Sequence, residues 1–313
     1  MKTEFFILLS ISVLLILGCI IIYITYKKYL NSCYKRIDTI KSQVFKSNIG
    51  NIEYILEGKG PTILVSHGVT GGIDQGIGLS NLYLGKGYRY LYISRFGYLK
   101  SSMPEYPSAK LQAKAYKDLL DFLGIDSVFI FGNSAGGTSA IHFAIDYPEK
   151  SKGLILVSSA VPWNEKALPP KLFMKAVFGS DFLYWATLKL FGKNMIQMFV
   201  PKSIYKQLSK TKRKSLISDI MFSGLPITNR TKGVLFDTYD SNPSIDKGLA
   251  FESINLPTLI IHAIDDPSPP FEGARRISIK ISNSELLPFE TGGHLILNHE
   301  EEIKRDIHNF VFR

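Results

Sequence analysis

The chain has 313 residues, of which 45% are hydrophobic and 12% aromatic, enough to bury a large core in one domain, or in one domain with an insertion. This composition excludes a disordered protein, and much of the net charge of +10 is concentrated locally. Cys19 and Cys33 are the only cysteines, which excludes a disulfide framework, a thiol nucleophile and a cysteine metal site in the globular part.

An apolar run opens the chain. The 22 residues from Phe5 to Tyr26 carry no charge, and as a helix they would span about 33 Å, enough to cross a bilayer. We therefore predict a transmembrane anchor over residues 1–30. A cleaved signal peptide is disfavoured because no small-residue cleavage site follows the run. The stretch "ILGC" ending at Cys19 weakly resembles a lipoprotein signal, so lipidation stays an alternative.

Basic residues flank the apolar run mainly on its C-terminal side. By the positive-inside rule, this asymmetry predicts a single-pass membrane protein whose globular part faces the cytoplasm. The basic residues after the run are Lys27, Lys28, Lys35, Arg36 and Lys41, against Lys2 before it.

Beyond the anchor, short apolar runs alternate with patterns of helical period. Residues 31–50 are interpreted as a basic linker and a first strand, and residues 51–161 as the first half of an α/β core. Strands that alternate with helices predict a mostly parallel sheet with helices on both faces. The alternation stops over residues 162–256, which have a helical pattern, and resumes over residues 257–313. We interpret the interruption as a helical cap inserted between two halves of one sheet.

The predicted cap is rich in large apolar side chains and in lysine. Its apolar residues are expected first to form the core of the cap, while some face a cavity and favour an apolar acyl or alkyl group. From Lys202 to Lys214 there are six basic residues and no acid, either a solvated helix face or a surface that rests on anionic lipid headgroups. A nucleic-acid partner is not expected, because no recognition motif accompanies the charge. The apolar residues are Phe173, Met174, Phe178, Phe182, Trp185, Phe191, Met195, Met198 and Phe199.

The segment "FGNSAGG" places Ser134 in a Gly-x-Ser-x-Gly pattern between an apolar run and a helical run. At a sharp strand-to-helix turn, Gly132 and Gly136 allow the close packing that holds a serine at a strained backbone angle. Such a turn lifts the hydroxyl above the sheet at a helix N-terminus. Ser134 is therefore the candidate nucleophile, whereas a glycine-rich turn with no chemistry is the plain alternative.

A serine nucleophile needs a base, and the base needs an orienting acid. Of the six histidines, His294 alone directly follows a predicted strand within a Gly-Gly-His turn, so it is the candidate base. His262 lies within an apolar strand and is interpreted as a core histidine. The strand that ends in "IIHAIDDPSPP" supplies two aspartates, of which Asp266 is the candidate acid and Asp265 its neighbour.

An acyl-transfer site also needs two backbone N–H groups for the oxyanion. One is expected from Ala135, directly after the nucleophile. The other is expected from Val69, in the glycine-rich "HGVTGG" loop, although a simple turn would also account for these glycines. No phosphate-binding or dinucleotide fingerprint and no cluster of metal ligands is present in the sequence, so no cofactor or metal is expected.

Together these segments resemble the α/β-hydrolase superfamily. "SHGVTGG", "SRFGYLKS", "FGNSAGG", "IHAIDDPSPP" and "TGGHLIL" carry the resemblance, which covers residues 51–313 and is nearest to capped esterase-, lipase- or meta-cleavage-type hydrolases. It implies an α/β-hydrolase fold with Ser134, Asp266 and His294 as a catalytic triad. With the apolar cap and the anchor, these residues lead us to expect a membrane-anchored serine hydrolase of small-molecule carboxylic esters. C–C, thioester or amide cleavage and a non-catalytic binding protein on this fold remain alternatives. Ala263 departs from the family's usual glycine, and the anchor lies outside the family pattern.

Overall fold

A single eight-stranded sheet forms the centre of the molecule in the computed structural model, which describes residues 2–162, 168–246 and 248–313. Residues 163–167 and 247 of the predicted cap lie outside the described residues. The strand order is β1-β2-β4-β3-β5-β6-β7-β8, with β1 and β2 antiparallel to their neighbours and the rest parallel. The expected mostly parallel sheet is confirmed. The strands are β1 (Gln43–Ser47), β2 (Gly50–Gly58), β3 (Thr62–Ser66), β4 (Arg89–Ile93), β5 (Val128–Asn133), β6 (Ser151–Val157), β7 (Thr258–Ala263) and β8 (Ser284–Phe289).

Helices cover both faces of this sheet, because its central strands are apolar on both sides. On β3, Leu64 points into the core cluster beneath α3, α4 and α10, while Ile63 and Val65 point into the cluster beneath α2 and α11. All five residues of β3 and all six of β7 are buried. The covering helices are α2 (Ile73–Leu79), α3 (Ala109–Phe122), α4 (Gly136–Asp146), α10 (Phe271–Lys280) and α11 (Glu300–Val311).

The insertion between β6 and β7 is helical, as expected, and has a core of its own. Buried Tyr184, Trp185, Leu188 and Ile196 belong to a third apolar cluster, separate from the two clusters of the sheet. Short 3₁₀ and π turns complete the insertion. Its helices are α5 (Lys171–Phe178), α6 (Asp181–Met195), α7 (Lys202–Gln207), α8 (Lys210–Leu216) and α9 (Thr231–Phe236).

The N-terminal helix α1 (Lys2–Asp38) is longer than the predicted anchor. Residues 31–38, which we expected to be linker, form its last turns, and this correction has a simple cause. Tyr26, Leu30, Cys33 and Ile37 recur at helical spacing and are all buried, the first three in the apolar cluster of the cap. Packing against the cap therefore extends the helix, while the side chains between Phe5 and Ile24 are mostly exposed.

Candidate active site

Ser134 occupies the turn between β5 and α4 at the carboxyl edge of the sheet. Its φ is +49°, in the left-handed region that non-glycine residues rarely adopt. Backbone hydrogen bonds hold this conformation: the Ser134 N–H donates to Val157 O at 3.3 Å, and Ser134 O accepts from Ala160 N at 2.8 Å. The strained turn is thus fixed by β6 and the segment that follows it, and it presents the Ser134 hydroxyl at the end of the central strand.

Close packing explains the glycines on either side of the serine. A Cβ on Gly136 would overlap the carbonyl oxygens of Ser66 and His67 at the end of β3. A Cβ on Gly132 would lie 2.8 Å from both Gly137 Cα and Ala140 Cβ. The first turn of α4 therefore packs directly on β3 and β5, which only residues without a side chain permit.

The structure brings the three predicted triad residues together from three separate loops. His294 Nε2 lies 3.0 Å from Ser134 Oγ, and His294 Nδ1 lies 2.9 Å from Asp266 Oδ2. Asp266 follows β7, and His294 follows β8 in a short 3₁₀ turn. This continuous chain of hydrogen bonds is the geometry in which an imidazole accepts a hydroxyl proton while a carboxylate orients its ring.

The Asp266 carboxylate is buried and held ionised. Burial opposes its ionisation, but the adjacent His294 and the hydrogen bonds from His262 and His294 outweigh burial and lower its pKa to about 2. The backbone N–H of Ser268 also donates to Asp266 Oδ1 at 2.8 Å. His262 Nε2 lies 3.3 Å from Asp266 Oδ2 and 3.0 Å from Pro269 O. His262 is buried, as a core histidine should be, but it also contacts the candidate acid, a role that its place in an apolar strand did not indicate.

Asp265 has a different contact from its neighbour. Its Oδ1 accepts the Gly293 N–H at 2.8 Å, and the next N–H, that of His294, donates to Phe199 O in the cap at 2.7 Å. The two consecutive aspartates therefore both face the His294 turn, Asp265 through the backbone and Asp266 through the imidazole. The sequence suggested only one role for the pair.

The loop after β3 passes directly beside the candidate nucleophile, since a Cβ on Gly68 would lie 3.2 Å from Ser134 Cβ. Within the described part of the chain, neither the Val69 N–H nor the Ala135 N–H has a hydrogen-bond acceptor. Gln75 fixes this loop: its Oε1 accepts from Gly68 N at 2.7 Å, and its Nε2 lies 3.4 Å from Val69 O. Gln75 belongs to no motif, so the sequence did not indicate it.

His67 stabilises the same loop and does not reach the serine. Burial and the nearby Arg95 guanidinium hold the pKa of His67 well below its usual value, so the ring is neutral. Its Nδ1–H donates to Gly68 O at 2.7 Å, and its Nε2 accepts the Arg95 backbone N–H at 3.0 Å. The buried Arg95 side chain forms a bidentate ion pair with Asp237 of the cap insertion.

A second buried arginine joins the loop to the cap and to α1. Arg230 donates to the carbonyls of Thr70 and Gly71 and pairs with both oxygens of Asp74, at 3.0 and 2.8 Å. Arg36 of α1 donates to the same carboxylate at 2.7 Å. Burial opposes ionisation of Asp74, but the two arginines outweigh it and lower its pKa to about 2.

Most of the chain is similar in sequence to known proteins. The model of the α/β-hydrolase fold family matches residues 61–299. A 2-hydroxy-6-oxononadienedioate/2-hydroxy-6-oxononatrienedioate hydrolase from Dechloromonas aromatica is 28% identical over 231 residues, which cover 72% of this chain and 76% of that protein.

Solved structures show the same fold. An esterase from Exiguobacterium antarcticum superposes with a TM-score of 0.67 at 21% identity, covering 87% of this chain and all of the esterase. A putative lipase from Acinetobacter baumannii gives a TM-score of 0.62 at 18% identity, covering 92% and 95% of the two chains.

Proposed function

The chain belongs to the α/β-hydrolase fold family, and on that premise we propose that it is a membrane-anchored serine hydrolase. Its substrates would be carboxylic esters with an apolar acyl or alkyl group. One observation carries the proposal: the hydrogen-bonded chain from Ser134 through His294 to Asp266, at 3.0 and 2.9 Å.

In the proposed reaction, Ser134 Oγ attacks the ester carbonyl while His294 Nε2 takes its proton. Asp266 keeps the His294 Nδ1–H directed at itself and stabilises the imidazolium that forms. The N–H groups of Val69 and Ala135, which lack protein acceptors among the described residues, bind the oxyanion. His294 then protonates the departing alcohol, which leaves an acyl group on Ser134. A water molecule, deprotonated by His294, releases the acid and restores the serine.

An apolar ester fits the cap better than a dicarboxylate does. The cap segment that covers the base is apolar: the Phe199 ring lies 5.5 Å from that of His294, and Val200 is buried. The two buried arginines near the site, Arg95 and Arg230, already pair with aspartates. These contacts favour a substrate whose bulk is uncharged.

C–C bond hydrolysis is the second candidate. It is favoured by the relatives named 2-hydroxy-6-oxononadienedioate hydrolases, whose named substrates carry two carboxylates. Rates on p-nitrophenyl esters of increasing chain length and on a 2-hydroxy-6-oxo-dienoate would separate the two reactions. A specificity constant at least tenfold higher for the dienoate would replace the ester proposal.

The anchor proposal is supported by the two halves of α1. By length and composition alone, α1 is the described helix that is able to cross a membrane, a test that a signal sequence near the N-terminus also passes. The buried side chains of Tyr26, Leu30 and Cys33 favour a retained helix, because cleavage beyond them would expose the cap residues that they cover. The basic residues after the apolar run support a cytoplasmic catalytic domain.

The first experiment is labelling of the full chain, in detergent micelles, with a fluorophosphonate probe. We expect wild-type protein and Ser253→Ala to label, because Ser253 is exposed and bonds only to its own 3₁₀ turn. Ser134→Ala should not label and should hydrolyse p-nitrophenyl esters at least a thousandfold more slowly. Folded wild-type protein that fails to label would overturn the serine hydrolase proposal.

A further inference from the structure

Exposed apolar side chains are concentrated in one part of the cap. Eight large hydrophobic residues between Leu168 and Met198 are exposed, whereas the six others described after the end of α1 are scattered along the remaining chain. Single exposed apolar residues are ordinary, but a concentration of them marks a contact surface. Six of the eight lie on α5 and α6, and we call them the α5–α6 face: Leu172, Phe173, Phe182, Leu183, Leu190 and Phe191.

This face adjoins α1 at the point where the apolar run ends. The Phe182 ring packs edge-on against Tyr26, with 5.1 Å between ring centroids, and Trp185 lies 5.6 Å from the same ring. Tyr26 is the last residue of the uncharged run and the first of the buried stripe that docks on the cap. The N-terminal end of α6 therefore lies at the level where α1 would leave the hydrocarbon core. Aromatic residues are typical of that level.

The exposed charges on α5 and α6 are of one sign. Lys171, Lys175, Lys189 and Lys193 are exposed on α5 and α6, and six further basic residues lie between Lys202 and Lys214. From Lys171 to Ser218 the single acidic residue is Asp181, which is buried and bonded to Thr228. Helices that expose apolar side chains and lysines but no acid match an anionic bilayer surface, which takes up apolar side chains and attracts lysine.

We propose that the α5–α6 face lies in the interface of the membrane that α1 crosses, as a second membrane contact besides the anchor. The inference rests on the anchor of the proposed function and adds the orientation of the catalytic domain. The cap reaches the site directly, since Phe199 O accepts the His294 N–H. A cap seated in the bilayer holds the candidate site that it covers near the lipid surface, so apolar esters dissolved in the membrane are the substrates that we expect it to meet.

The test places a fluorophore at single positions of the full chain in vesicles that contain anionic phospholipid. In a background of Cys19→Ser and Cys33→Ala, the labelled variants are Leu172→Cys and Leu190→Cys on the face and Leu14→Cys within α1. Ile279→Cys on α10 is the matched control, because Ile279 is 69% exposed, comparable to Leu172 at 82% and Leu190 at 74%. Nitroxide-labelled lipids then quench any fluorophore that reaches the bilayer.

We expect at least twofold quenching at residues 172, 190 and 14, and none at residue 279. Quenching at 14 without quenching at 172 and 190 would overturn the proposal and leave the anchor and the hydrolase standing. Absence of quenching at all four positions would overturn the membrane anchor as well. Equal quenching at 279 would show adsorption with no preferred face and would also overturn the proposal. None of these outcomes depends on catalysis. Fluorophosphonate labelling therefore tests the serine hydrolase proposal independently of the membrane contact.

A second measurement uses activity. Leu172→Glu combined with Leu190→Glu should lower hydrolysis of a long-chain ester in anionic vesicles about tenfold and leave a soluble short-chain ester unchanged. Ile279→Glu should change neither rate. Equal loss on both substrates, or no loss on either, would count against a membrane-facing cap.

Discussion

Arg36 and Asp74 join the N-terminal helix to the loop beside Ser134, the candidate nucleophile. Arg36 Nη1 lies 2.7 Å from Asp74 Oδ2, and Arg36 Nη2 donates to the carbonyls of Ser223 and Leu225 in the cap insertion. Asp74 in turn pairs with Arg230, which donates to the carbonyls of Thr70 and Gly71. The end of α1 thus serves as a structural part of the catalytic domain.

We expect Arg36→Ala to lower kcat on a soluble ester about tenfold with little change in KM, because the loop that carries Val69 loses part of its support. A tenfold change corresponds to about 1.4 kcal/mol in the barrier. Arg36→Lys keeps the charge and should recover part of the rate, and Lys35→Ala, at the exposed neighbour, should have no effect. Steady-state kinetics in detergent check this, and an unchanged kcat for Arg36→Ala would contradict it.

Two truncations test the same relationship at larger scale. Removal of residues 1–24 keeps the buried stripe of α1 and should retain soluble-ester activity. Removal of residues 1–38 exposes the cap residues beneath that stripe, and we expect aggregation or a fall of several degrees in Tm. Equal stability of the two truncated chains, measured by thermal unfolding, would mean that α1 contributes only an anchor.

The adjacent aspartates should differ in function. Asp266→Asn should lower kcat by about three to four orders of magnitude, because an amide holds the imidazole in the wrong tautomer. Asp265→Asn keeps an acceptor for the Gly293 N–H and should remain within a fewfold of the wild type, whereas Asp265→Ala removes it and should cost about tenfold. Steady-state kinetics of the three variants test this difference. A larger loss of kcat for Asp265→Asn than for Asp266→Asn would reverse the assignment of the candidate acid.

Acid should destabilise the protein through two buried carboxylates. The pKa values of Asp74 and Asp266 are lowered from 3.8 to about 2 in the folded chain. Each ion therefore contributes roughly 2 kcal/mol of stability above pH 3.8, which is lost as the pH falls through about 2. The free energy of unfolding should thus rise with pH between about 2 and 4. Urea unfolding of Asp74→Asn should show a shallower rise than Asp126→Asn, at an exposed aspartate, and identical slopes would contradict the argument.

Gly136 should be intolerant of any side chain. Gly136→Ala places a methyl group against the carbonyls of Ser66 and His67, and we expect a loss of about 3 kcal/mol of stability together with loss of fluorophosphonate labelling. Gly78→Ala is the matched control, because Gly78 lies in α2 with no atom within 4 Å of its added Cβ. That change should stabilise the protein by up to about 1 kcal/mol. Denaturant unfolding measures both, and a neutral Gly136→Ala would refute the close approach of α4 to β3.

The sequence alone determined the fold class and the candidate residues of the site. Strands such as β3 and β7 are continuous apolar runs, and the alternation of strands with helices leaves few topologies, so the mostly parallel sheet was predictable. Ser134 and His294 were recognisable because each lies in a glycine-rich turn directly after a predicted strand. Their roles, like that of Asp266, stay predictions, although the three side chains lie within hydrogen-bond distance of one another.

The tertiary structure decided the features that local sequence patterns do not specify. The last turns of α1 were expected to be a linker, because their length and charge resemble one, and only contact with the cap keeps them helical. Gln75 and Arg230 hold loops of the candidate site but belong to no motif, and Asp265 contacts a turn that is distant along the chain. His262 contacts Asp266 because the chain turns back after β7. Such contacts depend on which surfaces pack against each other when the sheet, the cap and α1 come together. Secondary-structure propensity and motif spacing do not specify that packing.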